Sequence, residues 1–217
     1  PYSRIGLLVA TWGDGTQTCG TFSLVGRNDV LTATHLVFDP DKGGKPKSVE
    51  LYLHADFNQS SSRFDDAGIK IASIDINDIW YQKQTFSEGP NKTLTNYESS
   101  YDLAVIGLNT AIGDTYGYLS INPFLTDISG KTASAIGYPT GSTGMMSLAV
   151  NPTLESYYNW ISQSPDLKPG NSGGPLLVGN SIIGVASAGS DNEAVWAGIK
   201  NSFELITREI ALNDRLL

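Results

Sequence analysis

The sequence predicts an all-β fold. Short apolar stretches recur along the chain, each of strand length, rich in Val, Ile, Leu and Thr and bounded by Gly, Asn, Asp or Pro. Helical signals are weak until residue 202. Hydrophobic residues make up 40% and charged residues 17% of the 217 residues, which is typical of a globular protein with a full core. Many short strands separated by close turn signals favour an antiparallel barrel or sandwich.

The predicted strands follow one another through most of the chain. In order they are RIGLLVATW, TFSLVG, DVLTAT, SVELYLHA, IKIASIDI, DLAVIGL, TASAIGY, MMSLAV, PLLVG and SIIGVASAG. A seam between two clusters of strands is predicted at NTAIGDTYGY, residues 109–118. Near the C terminus, Phe203, Ile206 and Ile210 keep a helical spacing, so we expect a helix there with Ser202 as its N-cap.

Charge and composition argue against several classes of partner. The net charge is −8 and the pI is about 4.6, so the surface should repel phosphate backbones and anionic lipid. We therefore expect no nucleic acid and no membrane as partners, and we expect a monomer. The chain begins at Pro1 without a leader, which predicts an exported protein, secreted or periplasmic, whose signal has been removed. Cys19 is the only cysteine, so no internal disulfide can form.

One loop, PGNSGGPLL from Pro169, places Ser172 among glycines. Glycines at 170, 173 and 174 let the backbone bend sharply and approach a substrate closely. Such a bend can aim the backbone N–H groups of Gly170 and Ser172 at one point, where they would stabilise a developing oxyanion. This pattern indicates a serine nucleophile. The alternative is a Gly/Pro-rich turn that contains an incidental serine.

A serine hydroxyl needs a base to take its proton, and the base needs an orienting partner. The chain has only two histidines. His35 follows LTAT at a strand end, where its ring can face a cleft, and it is the candidate base. His54 lies within ELYLHAD, where a structural role is expected.

Asp102 is the candidate partner of the base. It opens the apolar run DLAVIGL, so its carboxylate should lie at the edge of the core. Burying a charge there is costly unless it is paired, and a histidine N–H is a suitable partner. The alternative is a turn aspartate that precedes a strand.

The segments LTATH, DLAVIGL and GNSGGPLL, in this order, resemble the three signature segments of trypsin-like serine proteases of the chymotrypsin fold. Together with AIGYP they look closest to bacterial members without disulfides. The resemblance implies two six-stranded antiparallel β-barrels with a C-terminal helix and a cleft between the barrels. It places His35 and Asp102 in an N-terminal barrel, residues 1–112, and Ser172 in a C-terminal barrel, residues 113–217.

The same resemblance implies a substrate site. Ser187, Ala188 and Gly189 correspond to the edge segment that pairs with an extended substrate backbone. Counting back six residues from Ser172 places Asp166 where trypsin-like members hold a basic side chain, although Asp166 is equally a surface acid that Lys168 neutralises. Glutamate-specific relatives use a histidine of the C-terminal half, which this chain lacks, so we do not expect an acidic P1 residue.

Two departures from the family pattern lead to further expectations. Leu36 stands where many animal members have the disulfide partner of Cys19, so we expect Cys19 to be a buried, unreactive side chain. Asn171 replaces the aspartate that pairs with a freshly cut N terminus, so we predict no activation by insertion of the N terminus.

We expect no cofactor and no metal as part of the catalytic site. Calcium is a secondary possibility through the loop carboxylates of Asp65, Asp66, Asp75 and Asp78. The leading function is a serine endopeptidase that hydrolyses polypeptides through an acyl-enzyme. The alternatives are a catalytically silent, protease-like binding module and an esterase that uses the same triad.

Overall fold

The computed structural model describes residues 2–55, 57–58, 63–64, 68–82, 94–163, 167–189 and 192–217, with only the backbone for residues 57–58 and 63–64. Most of the described chain forms two curled sheets whose strands run mainly antiparallel. The predicted all-β fold with mainly antiparallel strands is therefore confirmed.

The first sheet is formed by the N-terminal half of the chain. Its strands are β1 (Ile5–Thr11), β2 (Gln17–Leu24), β3 (Asp29–Thr32), β4 (Ser48–Leu53), β7 (Ile71–Ile76) and β8 (Ala104–Leu108), with β5 (Phe57–Asn58) and β6 (Arg63–Phe64) as a separate small hairpin. The order across the sheet is β4-β1-β2-β3-β8-β7. An isolated bridge between Leu51 and Ile69 joins the first strand in this order to the segment before the last, which closes the sheet on itself.

The second sheet follows in the chain. Its strands are β9 (Ser120–Ile121), β10 (Ala133–Gly137), β11 (Met146–Val150), β12 (Thr153–Leu154), β13 (Trp160–Gln163), β14 (Pro175–Val178), β15 (Ser181–Gly189) and β16 (Glu193–Gly198). The order is β11-β10-β14-β15-β16-β13-β12, and β9 pairs with β15 in parallel. The sheet has more than the expected six strands because the two-residue strands β9 and β12 extend it.

The helices are few and mostly short. They are α1 (Asp78–Tyr81), α2 (Asn96–Ser99), α3 (Gly113–Tyr116) and α4 (Phe203–Asn213). The predicted C-terminal helix is confirmed, with Ile206 fully buried. Ser202 is the N-cap residue of this helix, as predicted, although its side chain makes no capping hydrogen bond. A 3-10 turn, Ile199–Ser202, runs directly into α4 and leaves the Ser202 side chain buried without this bond. None of the helices in the described ranges is long and apolar enough to cross a membrane.

The main hydrophobic cluster spans both sheets. It contains Phe22, Leu31 and Ile106 of the first sheet together with Leu177 and Val185 of the second. These side chains are almost completely buried, so the hydrophobic effect stabilises the contact between the sheets as well as each sheet. This packing fixes the ends of β3, β8, β14 and β15 relative to one another.

A buried polar cluster joins the end of α4 to the first sheet. The Asn213 side-chain N–H donates to Asp29 Oδ1 over 2.8 Å, and the Asn28 side chain donates to the Asn213 carbonyl over 3.0 Å. Burial raises the pKa of Asp29 to about 6, and the charges of Asp214 and Glu209 add to this rise while the bond from Asn213 opposes it.

Asp29 should make the protein less stable as the pH rises. The carboxyl group has an ordinary pKa near 3.8 when unfolded, so its contribution is greatest below pH 4 and is lost as the pH rises through about 6. A shift of this size corresponds to about 3 kcal/mol, and screening by solvent reduces the expected loss to about 1–2 kcal/mol. Asp29→Asn should raise the free energy of unfolding at pH 7 by this amount and leave it nearly unchanged at pH 4, measured by urea denaturation.

Asp114→Asn is the matched control, because it removes the same charge from an exposed pair with Arg27. Exposed pairs of this kind contribute little, so its effect should be small. The prediction would be contradicted if the difference in free energy of unfolding between Asp29→Asn and wild type were the same at pH 7 as at pH 4.

Candidate active site

Paired strands bring His35 and Asp102 to the same end of the first sheet. Strand β3 pairs with β8 through Thr32 and Ala104. His35 lies in the 3-10 turn, Thr34–Leu36, that follows β3, and Asp102 lies just before β8. The two candidate side chains therefore leave neighbouring strands at one edge, although many residues separate them in the sequence.

The Asp102 carboxylate is fully buried and accepts hydrogen bonds on both oxygens. Oδ1 accepts from the His35 backbone N–H over 2.9 Å, and Oδ2 accepts from His35 Nδ1 over 2.7 Å. Oδ2 also accepts from the Ser187 hydroxyl over 2.6 Å. These donors compensate the burial of the charge. Because Nδ1–H points at Asp102, the other ring nitrogen, Nε2, is left with its lone pair.

Opposing effects act on the His35 imidazole, whose side chain is 22% exposed. Burial disfavours its charged form, but the charge of Asp102 and the hydrogen bond to it, with a smaller contribution from Asp39, outweigh burial. The pKa of His35 therefore lies above that of an ordinary histidine. Asp102 therefore stabilises the charged imidazole that forms when His35 takes up a proton.

The loop that carries Ser172 is anchored on both sides of the site. The Ser172 carbonyl accepts from the Thr21 N–H over 2.8 Å, and the Gly173 N–H donates to the Ala186 carbonyl over 2.8 Å. A Cβ on Gly173, which has φ +81°, would collide with the Thr21 carbonyl and the Thr32 hydroxyl. Only glycine permits this approach. Gly173 therefore packs against Thr32, three residues before His35. It also binds Ala186, the residue before Ser187.

Ser172 itself is half-buried. Within the described part of the chain its hydroxyl makes no hydrogen bond, so it remains available to a substrate. The backbone N–H groups of Gly170 and Ser172 donate no hydrogen bond to any described residue either, whereas those of Asn171, Gly173 and Gly174 all do. An oxyanion hole needs N–H groups without a partner in the protein, and the assignment of this role to Gly170 and Ser172 stays a prediction.

The predicted substrate-binding edge divides into two parts. Ser187 uses its hydroxyl on Asp102, so it positions the carboxylate rather than only lining the edge. Strand β14 pairs with β15 only as far as Val185. Beyond it, the Ala186 carbonyl accepts from the Gly173 N–H, and the Ala186 N–H donates to the Gly174 carbonyl. Among the described residues, no strand covers Ala188 and Gly189 on that side, which leaves an open edge for strand addition.

Three of the residues discussed for specificity and metals lie outside the described residues: Asp166, Asp65 and Asp66. The proposed role of Asp166 in the pocket therefore stays a prediction. Asp75 and Asp78 are described, and no group of three or more acidic, cysteine or histidine side chains suited to a metal ion occurs in the described ranges.

Cys19 is exposed, so the prediction of a buried side chain is wrong. It lies opposite Val9 in the register of β1 and β2, in the outer part of β2 where most side chains face solvent.

His54 lies just beyond β4 with φ +52°, and its ring contacts the edge of Tyr116. Among the described residues, no hydrogen bond links it to His35, Asp102 or Ser172, and its structural role stays a prediction.

Thr21 is a site residue that the sequence analysis missed. It is fully buried, and its hydroxyl donates to the Gly170 carbonyl over 2.8 Å and accepts from the Tyr138 N–H over 3.0 Å. Its carbonyl accepts from the Thr32 hydroxyl over 2.7 Å. Thr21 therefore ties the serine loop to both sheets. The only signal in the sequence is a threonine at an inward position of an apolar strand, which occurs in many proteins.

The chain is similar to known proteases over nearly its whole length. A Glu endopeptidase in complex with MPD has a TM-score of 0.71 and 25% identity, covering 97% of this chain and 92% of its own. The thermostable serine protease AL20 from an extremophilic microorganism has a TM-score of 0.71 and 17% identity, covering 94% of each chain. The protease Anisep from Arthrobacter nicotinovorans has a TM-score of 0.68 and 18% identity, covering 91% of this chain and 90% of its own.

No curated protein sequence matches the chain significantly. A family model described as the trypsin-like peptidase domain matches residues 20–185, which is most of the chain and includes all three candidate catalytic positions. This match and the solved structures confirm the resemblance that the three sequence segments indicated. The chain belongs to the family of trypsin-like serine proteases.

Proposed function

We propose that the protein is a serine endopeptidase in which Ser172, His35 and Asp102 form the catalytic triad. The observation that carries this proposal is the His35 Nδ1–Asp102 Oδ2 hydrogen bond of 2.7 Å, held at the sheet end where the serine loop is anchored. The absence of a hydrogen bond between Ser172 and His35 does not oppose it, because such bonds often tighten only when substrate is bound.

The proposed reaction proceeds through an acyl-enzyme. Ser172 Oγ attacks the scissile carbonyl carbon while its proton passes to His35 Nε2, and the Gly170 and Ser172 N–H groups stabilise the oxyanion. The C–N bond then breaks as His35 gives this proton to the leaving amine. Water attacks the ester in the same way, its proton passing to His35 and then to Ser172, and a free carboxylic acid leaves. Asp102 holds the Nδ1–H tautomer and stabilises the charged imidazole.

This chemistry uses only side chains and backbone amides, so we propose that no cofactor takes part. Activity should therefore persist after dialysis against EDTA. The substrate is proposed to be an extended polypeptide that adds as a strand along Ala188 and Gly189. Main-chain hydrogen bonds would hold it, and a pocket would select the P1 side chain.

The P1 preference is best tested with a peptide library that varies this residue alone. One structural neighbour is a Glu endopeptidase, so glutamate must be included. We propose that acidic P1 residues are poor substrates, because both histidines lie within the first 54 residues and neither can meet a carboxylate in the C-terminal half. Preferential cleavage after Arg or Lys that is lost in Asp166→Ser would assign the pocket to Asp166. Preferential cleavage after Glu would overturn the proposal on P1.

The proposal is tested by labelling with a fluorophosphonate and by digestion of casein. Folded wild-type protein should be labelled at Ser172, as located by mass spectrometry, and should cleave casein. Failure of both would favour a silent binding module, a fold-level alternative that one neighbour illustrates, since it is named an inactivated protease paralogue of the scabies mite. Labelling together with cleavage of p-nitrophenyl esters, but of no peptide, would favour an esterase.

The acid limb of activity should reflect the pKa of His35. Only the neutral imidazole can act as a base, so kcat/KM should fall as the pH decreases through the pKa of His35. Because this pKa is raised, mainly by Asp102 against the effect of burial, the midpoint should lie above the ordinary histidine value of about 6.5. A midpoint at or below that value, measured with a substrate that has no titrating group, would contradict the assignment.

A further inference from the structure

We propose that Thr140 is a positioning residue that orients the Gly170 N–H toward the oxyanion, an inference that rests on the proposed function. Thr140 lies in the turn after β10 and makes no hydrogen bond to Ser172 or His35. Its influence passes through one peptide unit, Pro169–Gly170. This unit carries the Gly170 N–H, and its direction decides whether that group faces a substrate.

The Pro169 carbonyl accepts two hydrogen bonds from the same residue. The Thr140 backbone N–H donates over 2.7 Å, and the Thr140 hydroxyl donates over 2.9 Å. In a trans peptide the C=O and N–H of one unit point in opposite directions. A carbonyl held against Thr140 therefore turns the Gly170 N–H away from it, and that N–H has no acceptor among the described residues.

The residue type at position 170 does not by itself fix the orientation of this peptide. Gly170 has φ +95°, and a glycine adopts either sign of φ, so a flipped peptide is not barred by its own side chain. A flipped peptide would point its carbonyl oxygen at the oxyanion position and repel the charge that develops there. It would also leave the Thr140 N–H without its partner. Two donors from Thr140 thus favour the orientation that is competent for catalysis.

Thr140 is itself held in place from two directions. Before it, the Tyr138 N–H donates to the buried Thr21 hydroxyl. After it, the Ser142 hydroxyl lies 2.7 Å from both the Pro139 and the Gly144 carbonyl oxygens and can donate its one proton to either of them. The turn is therefore a fixed support for the Pro169 carbonyl, even though the Thr140 side chain is exposed.

The test compares Thr140→Val, which removes the hydroxyl at nearly constant shape, with Thr140→Ser, which restores it. Thr207→Val is the matched control, because it makes the same substitution at an exposed threonine whose hydroxyl also binds a backbone carbonyl, that of Phe203 in α4. The probes are a fluorophosphonate, whose phosphoryl oxygen needs the same amide donors, and the best peptide from the P1 library. A carbon-13 label on the Pro169 carbonyl reports its hydrogen bonding by NMR without any turnover.

We expect Thr140→Val to slow labelling of Ser172 and to lower kcat about tenfold, with KM nearly unchanged, because the donor acts mainly on the transition state. Thr140→Ser should recover most of the rate, and Thr207→Val should remain within about twofold of wild type. The Pro169 carbonyl resonance should move in Thr140→Val and return in Thr140→Ser.

Several results would overturn the role of Thr140. These are a wild-type rate in Thr140→Val, an equal loss in Thr207→Val, or a loss that Thr140→Ser does not recover. The failure of the proposed function looks different, because wild-type Ser172 would then not be labelled at all. In that case the Pro169 carbonyl resonance still tests the role of Thr140. An unchanged resonance in Thr140→Val would show that the Thr140 hydroxyl does not hold this peptide.

Discussion

Replacing Ser172 by alanine should lower kcat for peptide hydrolysis by about 10⁵–10⁶-fold, which is the loss expected when the nucleophile of a serine triad is removed. His35→Ala should cost about as much, and the double variant should be no worse than either single one, because the two residues act as a unit. The Ser172 side chain makes no hydrogen bond among the described residues, so its loss should leave the fold intact. KM for the peptide should change little.

Thr207→Val serves as the control for these variants, since it removes a hydroxyl of α4 that lies outside the triad. The measurement needs active-site titration, because trace contamination by wild-type enzyme would hide a loss of this size. Thermal denaturation should show similar midpoints for wild type and Ser172→Ala. Casein cleavage that persists undiminished in Ser172→Ala would rule out this residue as the nucleophile.

The sequence was most informative where chemistry and local backbone coincide. Glycines around Ser172 are required by positive φ and by close packing against another strand, so they mark the loop without any knowledge of the fold. Asp102 opens a strand whose next residues are all buried, which made a paired carboxylate the expected solution. His35 follows a short β-strand. The family resemblance then supplied the arrangement that brings the three together.

The remainder depends on contacts between distant segments, which periodicity does not encode. Thr21 and Thr140 position the serine loop through single hydroxyl groups, and nothing in their local sequence distinguishes them from other threonines. Ser187 was recognised as part of the substrate edge, but its bond to Asp102 requires β15 to lie beside β8. The exposure of Cys19 depends on how far β2 extends beyond the core.

Replacing Asp102 by asparagine should lower kcat at neutral pH by about 10⁴-fold while leaving the fold nearly unchanged. Three donors converge on the two oxygens of Asp102, from the His35 backbone, His35 Nδ1 and the Ser187 hydroxyl. An amide offers only one oxygen. If its NH₂ group faces His35 Nδ1, that nitrogen must accept, the proton moves to Nε2, and the imidazole can no longer take a proton from Ser172.

The pKa of His35 distinguishes this mechanism from general damage to the site. Loss of the Asp102 charge should lower the pKa of His35, since that charge opposes the effect of burial, and NMR titration of the imidazole can follow the change. Asp39→Asn is the matched control, because it removes a more weakly acting charge and none of the bonds at Asp102. It should shift the pKa in the same direction by a smaller amount and leave kcat within a few-fold of wild type. If Asp102→Asn kept both the pKa and the turnover of wild type, the buried carboxylate would have only a structural role.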